Sequence, residues 1–279
     1  MPSRQWSLIV AEAALIADSY STPVTLRQLH YRLVAAGIGG YVNDQACYKR
    51  LSSLTAEARR NGTFPALSDR TRGVERRLSF KDPASAISSV ISWYRRNRTE
   101  NQTFQVWVLY EKATLGAQIE DWVNQYGLPT AALRGYSSES LEREVFEAME
   151  ADGRDAVVFY VGDLDPEGED IERNFVDQAG RWGVSFKHWE RLTVRPEQIG
   201  PYGLVPNPGK TTSSRAAGFV RKYGRLFQIE TEAVAPDVLE GLVRGAITNT
   251  AWFDESLWTT SKSQERKDIK RLREIAKTA

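Results

Sequence analysis

Asp163 and Asp165, one residue apart, end the apolar run Val157-Val-Phe-Tyr-Val-Gly162 and are followed by Pro166 and Gly168. A run of β-branched and aromatic residues of this length reads as a buried parallel strand. Ligands of open α/β sheets sit beyond the carboxyl ends of such strands, and carboxylates there suit a hard cation such as Mg²⁺ or Mn²⁺. The same two residues read equally well as caps of the helix that Pro166 opens. A second short apolar run, Gln105-Val-Trp-Val-Leu-Tyr110, also ends in a carboxylate, Glu111, followed by Lys112 and a helical pattern. If both runs belong to one parallel sheet, Glu111 stands beside Asp163 and Asp165, and the three acids form one candidate metal site.

The elements that would position these acids alternate as strand and helix. Thr130-Ala-Ala-Leu-Arg134 supplies a strand between the other two, ending in Gly135-Tyr136-Ser137-Ser138, and Val184 to Arg191 supplies a fourth. The fold class is therefore α/β with a mainly parallel, Rossmann-like sheet. At 279 residues, 41% hydrophobic and 26% charged, the chain is of ordinary globular composition and long enough for two domains at roughly 150 residues each. One cysteine, Cys47, excludes an internal disulfide, and two histidines with one cysteine exclude a zinc finger. The apolar segment from Ser7 to Ala17 contains Glu12 and is too short to span a bilayer, so a cytoplasmic or nucleoid-associated protein is expected.

The net charge of +1 conceals a division. Residues 1–99 carry 15 lysines and arginines against 7 acids, a net +8; the remainder carries 22 against 29, a net −7. A basic part beside an acidic one fits phosphate-backbone binding by the first and cation binding by the second. In the basic part, apolar spacing predicts a helix over 4–19. Thr25 caps a second over 26–36, ended by Gly37, and Asn43 or Asp44 caps a third over 45–61, ended by Gly62. Three such helices followed by a short polar stretch predict a winged helix-turn-helix. The third helix carries Lys49, Arg50, Arg59 and Arg60 as DNA-binding cations, with Leu51, Leu54 and Ala58 as its packed face; Arg72 lies in an Arg-rich piece that is either a wing or a linker. After a helix around 84–96 the polar break at 97–103 separates residues 1–98 from residues 104–279.

In combination these motifs resemble the toprim domain, in the version carried by the DNA-cleaving subunit of topoisomerase VI, a type IIB topoisomerase, and by its meiotic recombination relatives. The resemblance rests on Glu111-Lys112 after one strand, Gly135-Tyr136 after the next, and Asp163-Leu-Asp165-Pro166-x-Gly168-x-x-Ile171 after the third. Ser137 stands where that family usually has Pro, and Glu167 where it more often has His or Tyr. In the second helix, Arg27-Gln-Leu-His30-Tyr31 is similar to the family's Arg-x-Ile-Tyr-Tyr string, which implies Tyr31 as the nucleophile that attacks DNA and Arg27 as its companion.

The resemblance implies a homodimer straddling double-stranded DNA, the tyrosine of one protomer acting at the Mg²⁺ of the other, and a separate ATPase partner. A phenol is a poor nucleophile at neutral pH, so attack needs a nearby cation or base, a role for Arg27 or Lys112, with metal at Glu111, Asp163 and Asp165 stabilising the phosphoryl and leaving oxygens. A DNA-binding or DNA-bending module without cleavage, and a toprim nuclease using water, remain open alternatives. Gly209-Lys210-Thr211 lacks the upstream glycine spacing and the preceding strand of a P-loop. Phe227 to Ala233 reads as a closing strand, residues 236–247 as a helix, and residues 264–277 as a charged terminal helix.

Overall fold

A computed structural model describes residues 5–20, 23–67, 78–133 and 139–278. Arg72 and the Gly135-Tyr136-Ser137-Ser138 stretch lie outside them. Three helices come first: α1 (Trp6–Asp18), α2 (Leu26–Ala36) and α3 (Gln45–Arg60). Their ends follow the local chemistry. The Thr25 hydroxyl accepts from the Gln28 N–H while the Gln28 side chain accepts from the Thr25 N–H; Gly37 ends α2 at φ 62°, and Asp44 caps α3 through the Cys47 N–H. Ile9, Ala13, Leu29, Leu33, Cys47, Leu51 and Phe64 form the core of this helical part. α4 (Pro83–Trp93) follows, and the described residues between α3 and the first strand hold no strand.

The second part is a four-stranded parallel sheet with helices on both faces. β1 (Gln105–Tyr110), α5 (Ala113–Asn124), β2 (Thr130–Ala132), α6 (Glu139–Asp152), β3 (Ala156–Val161), α7 (Pro166–Arg181) and β4 (Phe186–Thr193) alternate along the chain, and the strand order is β2-β1-β3-β4. β1 and β3 are buried at every residue, which explains their unbroken apolar composition. Side chains alternate between the faces. Val106, Val108, Val157 and Phe159 share a core with Ile119 and Trp122 of α5, while Trp107, Leu109, Val158 and Tyr160 pack with Phe146 of α6 and Phe175 of α7.

The chain closes with β5 (Asn207–Pro208), α8 (Ala216–Tyr223), β6 (Phe227–Gln228), a 3₁₀ turn (Thr231–Ala233), α9 (Pro236–Thr248) and α10 (Glu255–Thr278). The expected closing strand at 227–233 is thus mostly absent. Phe227 and Gln228 pair antiparallel with β5, Ile229 bridges to Leu164, and the chain then coils, because Thr231 and Glu232 turn in toward the sheet edge instead of continuing a ladder. The terminal helix begins nine residues before the sequence-predicted start. Its Glu265 takes the Arg98 guanidinium at 2.6 Å and its Asp268 the Tyr94 hydroxyl at 3.1 Å, fastening the segment after α4 to the carboxyl end of the chain. No described helix is long and apolar enough to cross a membrane.

Candidate functional site

Glu111 and Asp163 meet because β1 and β3 run level. Tyr110 pairs with Val161, the Glu111 N–H donates to the Val161 carbonyl at 2.9 Å, and the Asp163 N–H donates to Glu111 Oε2 at 2.9 Å. Asp165 caps α7, its Oδ1 accepting from the Gly168 N–H at 2.6 Å. Gly168 makes the close approach possible: a Cβ there would lie 2.6 Å from the Asp163 carbonyl oxygen and 3.0 Å from Glu111 Oε2. Asp163 itself is 4% exposed; its Oδ1 accepts from the Thr231 N–H at 2.8 Å and its Oδ2 pairs with Lys112 Nζ at 2.8 Å. The cap reading therefore describes Asp165, and the shared-edge reading describes Glu111 and Asp163.

Lys112 is the hub of the edge. Besides Asp163 its ammonium reaches Glu230 at 2.9 Å and Glu232 at 3.6 Å, and only 24% of its side chain is exposed. Arg27 comes down from α2 onto the same two glutamates, bonding Glu230 through Nη2 and reaching Glu232 at 3.4 Å through Nε. The Thr114 hydroxyl donates to Glu232 at 3.2 Å. Glu230 and Glu232 do not belong to the residues singled out in the sequence, although Glu230-Thr-Glu232 repeats the acid-x-acid spacing of Asp163-Leu-Asp165. Lys112 is enclosed by carboxylates.

The electrostatics divide the acids. Burial, together with Asp163 and Asp165, pushes the Glu111 carboxyl up to about 7. Burial also raises Asp165 and Glu232. Glu230 is equally penalised by burial, but Lys112 and Arg27 outweigh it and hold the carboxyl below its ordinary range. For Lys112 burial opposes the charge, and Asp163, Glu230 and Glu232 overcome it and stabilise the ammonium.

As a donor set, Glu111, Asp163 and Asp165 offer hard oxygens in a crowded, electron-rich corner, which fits a divalent cation by chemistry. In the arrangement observed, Asp163 has both oxygens engaged and Asp165 gives one to its helix. Among the described residues no three acidic, His or Cys side chains converge as a ligand set.

Neither the known family models nor the curated proteins match this chain. Its function is therefore to be read from geometry.

Tyr31 lies over the same edge in the same chain. α2 is keyed to α5 by a Gln28 Nε2 to Gln118 Oε1 hydrogen bond at 2.8 Å, and Tyr31, 9% exposed, joins the core of the sheet rather than that of the three helices. Burial and Glu230 push its phenol up to about 12, with Arg27 and Lys112 working in the other direction. Tyr31 and Arg27 line an open cavity of about 570 Å³ with His30, Tyr48, Asn207 and Glu230. His30, whose pKa is lowered chiefly by burial, sits within hydrogen-bond reach of the Tyr41 hydroxyl at 2.7 Å and Asn43 Oδ1 at 3.0 Å.

The α3 cations are not equivalent. Lys49, Arg50 and Arg60 are exposed, whereas Arg59 is half-buried with its Nη1 enclosed and unbonded. The packed face of α3 is Cys47, Leu51 and Thr55; Leu54 and Ala58 only flank it. The expected packing pattern is one residue out of phase at Leu54 because a buried threonine hydroxyl can bond back to its own helix, as Thr55 does to the Leu51 carbonyl at 2.9 Å.

Proposed function

We propose that this chain binds double-stranded DNA and acts on it in the manner of the DNA-cleaving subunit of topoisomerase VI, with Tyr31 as nucleophile and Mg²⁺ or Mn²⁺ at Glu111, Asp163 and Asp165. In this reading α1 to α3 form a winged-helix unit and the parallel sheet a toprim domain. The observation that carries it is that Arg27, one helical turn before Tyr31 on α2, meets at Glu230 the same Lys112 that pairs with Asp163 at the sheet edge. Exposed Lys49, Arg50 and Arg60 supply phosphate contacts. Arg27, on leaving Glu230, sets its guanidinium against a phosphoryl oxygen and beside the phenol that must lose its proton. Lys112 neutralises the carboxylates that would otherwise repel the strand. A divalent cation, when bound, stabilises charge on the phosphoryl and leaving 3′ oxygens.

The burial of Tyr31 and its elevated phenol favour a second reading, a DNA-binding module that does not cleave. Incubation with supercoiled DNA and Mg²⁺ followed by detergent trapping separates the two: the first expects a covalent adduct that Tyr31→Phe abolishes while DNA binding survives. Binding without adduct under any metal establishes the module. Cleavage undiminished in Tyr31→Phe establishes a water-using nuclease. Mixing Tyr31→Phe with Asp163→Asn protein restores cutting if the tyrosine serves the other protomer of a homodimer, and restores none if Tyr31 serves the acids of its own chain.

A further inference from the structure

The cavity beside Tyr31 has walls that the cleavage chemistry does not use. β5 and β6 pair Asn207 directly with Gln228, which sets two side-chain amides next to each other at its mouth. The Tyr48 ring and Pro208, the residue after Asn207 on β5, line the same space. The hydrogen bonds behind this wall run in one direction. Asn43 Oδ1 can only accept, so the His30 Nε2–H donates to it, and Nδ1 of the neutral ring accepts from the Tyr41 hydroxyl. Asn43 Nδ2 then donates to Asn207 Oδ1. The chain ends on the Asn207 NH₂ group, and that group and the Gln228 amide have no hydrogen-bond partner among the described residues. Donor and acceptor groups are thus presented side by side in a cavity that an aromatic ring, Tyr48, also lines.

We infer that this cavity takes one unstacked nucleobase of a DNA strand, the Asn207 and Gln228 amides meeting its hydrogen-bonding edge and Tyr48 its face. Side-chain amides read a base edge through paired donor and acceptor contacts, and aromatic rings stack on any base. About 570 Å³ is ample for one base with its sugar, as for a base turned out of its stack. Arg27, 47% exposed at the rim, is placed for the phosphate that follows. The adjacent Glu230 carboxylate favours bases with an exocyclic amine, which can donate to it. This inference rests on the DNA-binding reading above and adds to it a preference for locally unpaired DNA.

The test is an anisotropy titration of three duplexes: fully paired, carrying one unpaired adenine, and carrying an unpaired abasic residue at the same place. The full-length protein is expected to bind the unpaired adenine about tenfold or more tightly than either of the others. Gln228→Leu and Tyr48→Leu, each checked for an unchanged circular dichroism spectrum and melting temperature, are expected to bring the three affinities to within about twofold while leaving the paired duplex as in the wild type. Equal wild-type affinity for all three overturns the base site and leaves DNA binding standing. No binding to any of them overturns both. Free deoxyadenosine monophosphate binding as tightly as the unpaired-adenine duplex overturns the strand as source of the base.

Discussion

Two acid-x-acid pairs meet around Lys112, and they are held differently. Asp163 and Asp165 each take a backbone amide, Thr231 N–H and Gly168 N–H, with Lys112 added at Asp163, and they stand between the end of β3 and α7, whose N-cap is Asp165. Glu230 and Glu232 are held by side-chain cations, Lys112 and Arg27, around a short 3₁₀ turn. The antiparallel bridge between Leu164 and Ile229 brings the two pairs together. The difference teaches that the same spacing of carboxylates yields a fixed frame where amides supply the bonds, and an exchangeable one where long, rotatable cations do.

Removing the shared cation breaks the comparison most severely. Lys112→Met leaves Asp163, Glu230 and Glu232 buried without their ammonium and is expected to cost about 3–5 kcal/mol in urea denaturation at pH 7, because an uncompensated buried charge is more costly than the pair is favourable. Much of that loss should return as the pH is lowered and the carboxyls protonate. A loss under about 1 kcal/mol would show that the four groups do not form one cluster.

Glu111 sharpens the contrast through pH. Its folded-state pKa, about 7, lies above that of an unfolded glutamate, so the native state binds the extra proton and stability falls as pH rises through the window between the two values, levelling above 7. Glu111→Gln is expected to flatten that fall and to add about 2–3 kcal/mol at pH 8. Asp163, Asp165 and Lys112 surround Glu111, so the proposed Mg²⁺ site predicts a larger metal-induced rise in melting temperature at pH 8 than at pH 5.5, lost in Asp163→Asn with Asp165→Asn. An equal response of wild type and variant to metal would remove the site.

Gly168→Ala probes the rigid frame. At an ordinary helical site the change stabilises, but here the new Cβ meets the Asp163 carbonyl and Glu111 Oε2, and a loss of about 1–3 kcal/mol in thermal unfolding is expected. The smallest effect on stability belongs to the surface: Lys49→Ala with Arg60→Ala should leave unfolding within about 0.5 kcal/mol of wild type. The same variant should weaken DNA binding and lower its salt slope by about 2, one for each phosphate that no longer meets a cation.

By itself the sequence determined what is local. Thr25, Asp44 and Gly37 mark helix ends that recur within a residue or so, since capping bonds span only three or four positions. The apolar runs of β1 and β3 announced buried parallel strands, and the acids after them necessarily fell on one edge once those strands paired in register. Tertiary structure alone decided which groups those acids would meet. Glu230 and Glu232 lie 118 and 120 residues beyond Lys112, and a turn that nothing in their own neighbourhood distinguishes from a strand carries them in. Tyr31 looked like part of the three-helix unit and instead joined the sheet core, because Gln28 and Gln118 lock α2 onto α5. Ion pairs and shared cores of this kind depend on how whole elements pack, and pattern along the chain carries no record of a partner more than a hundred residues away.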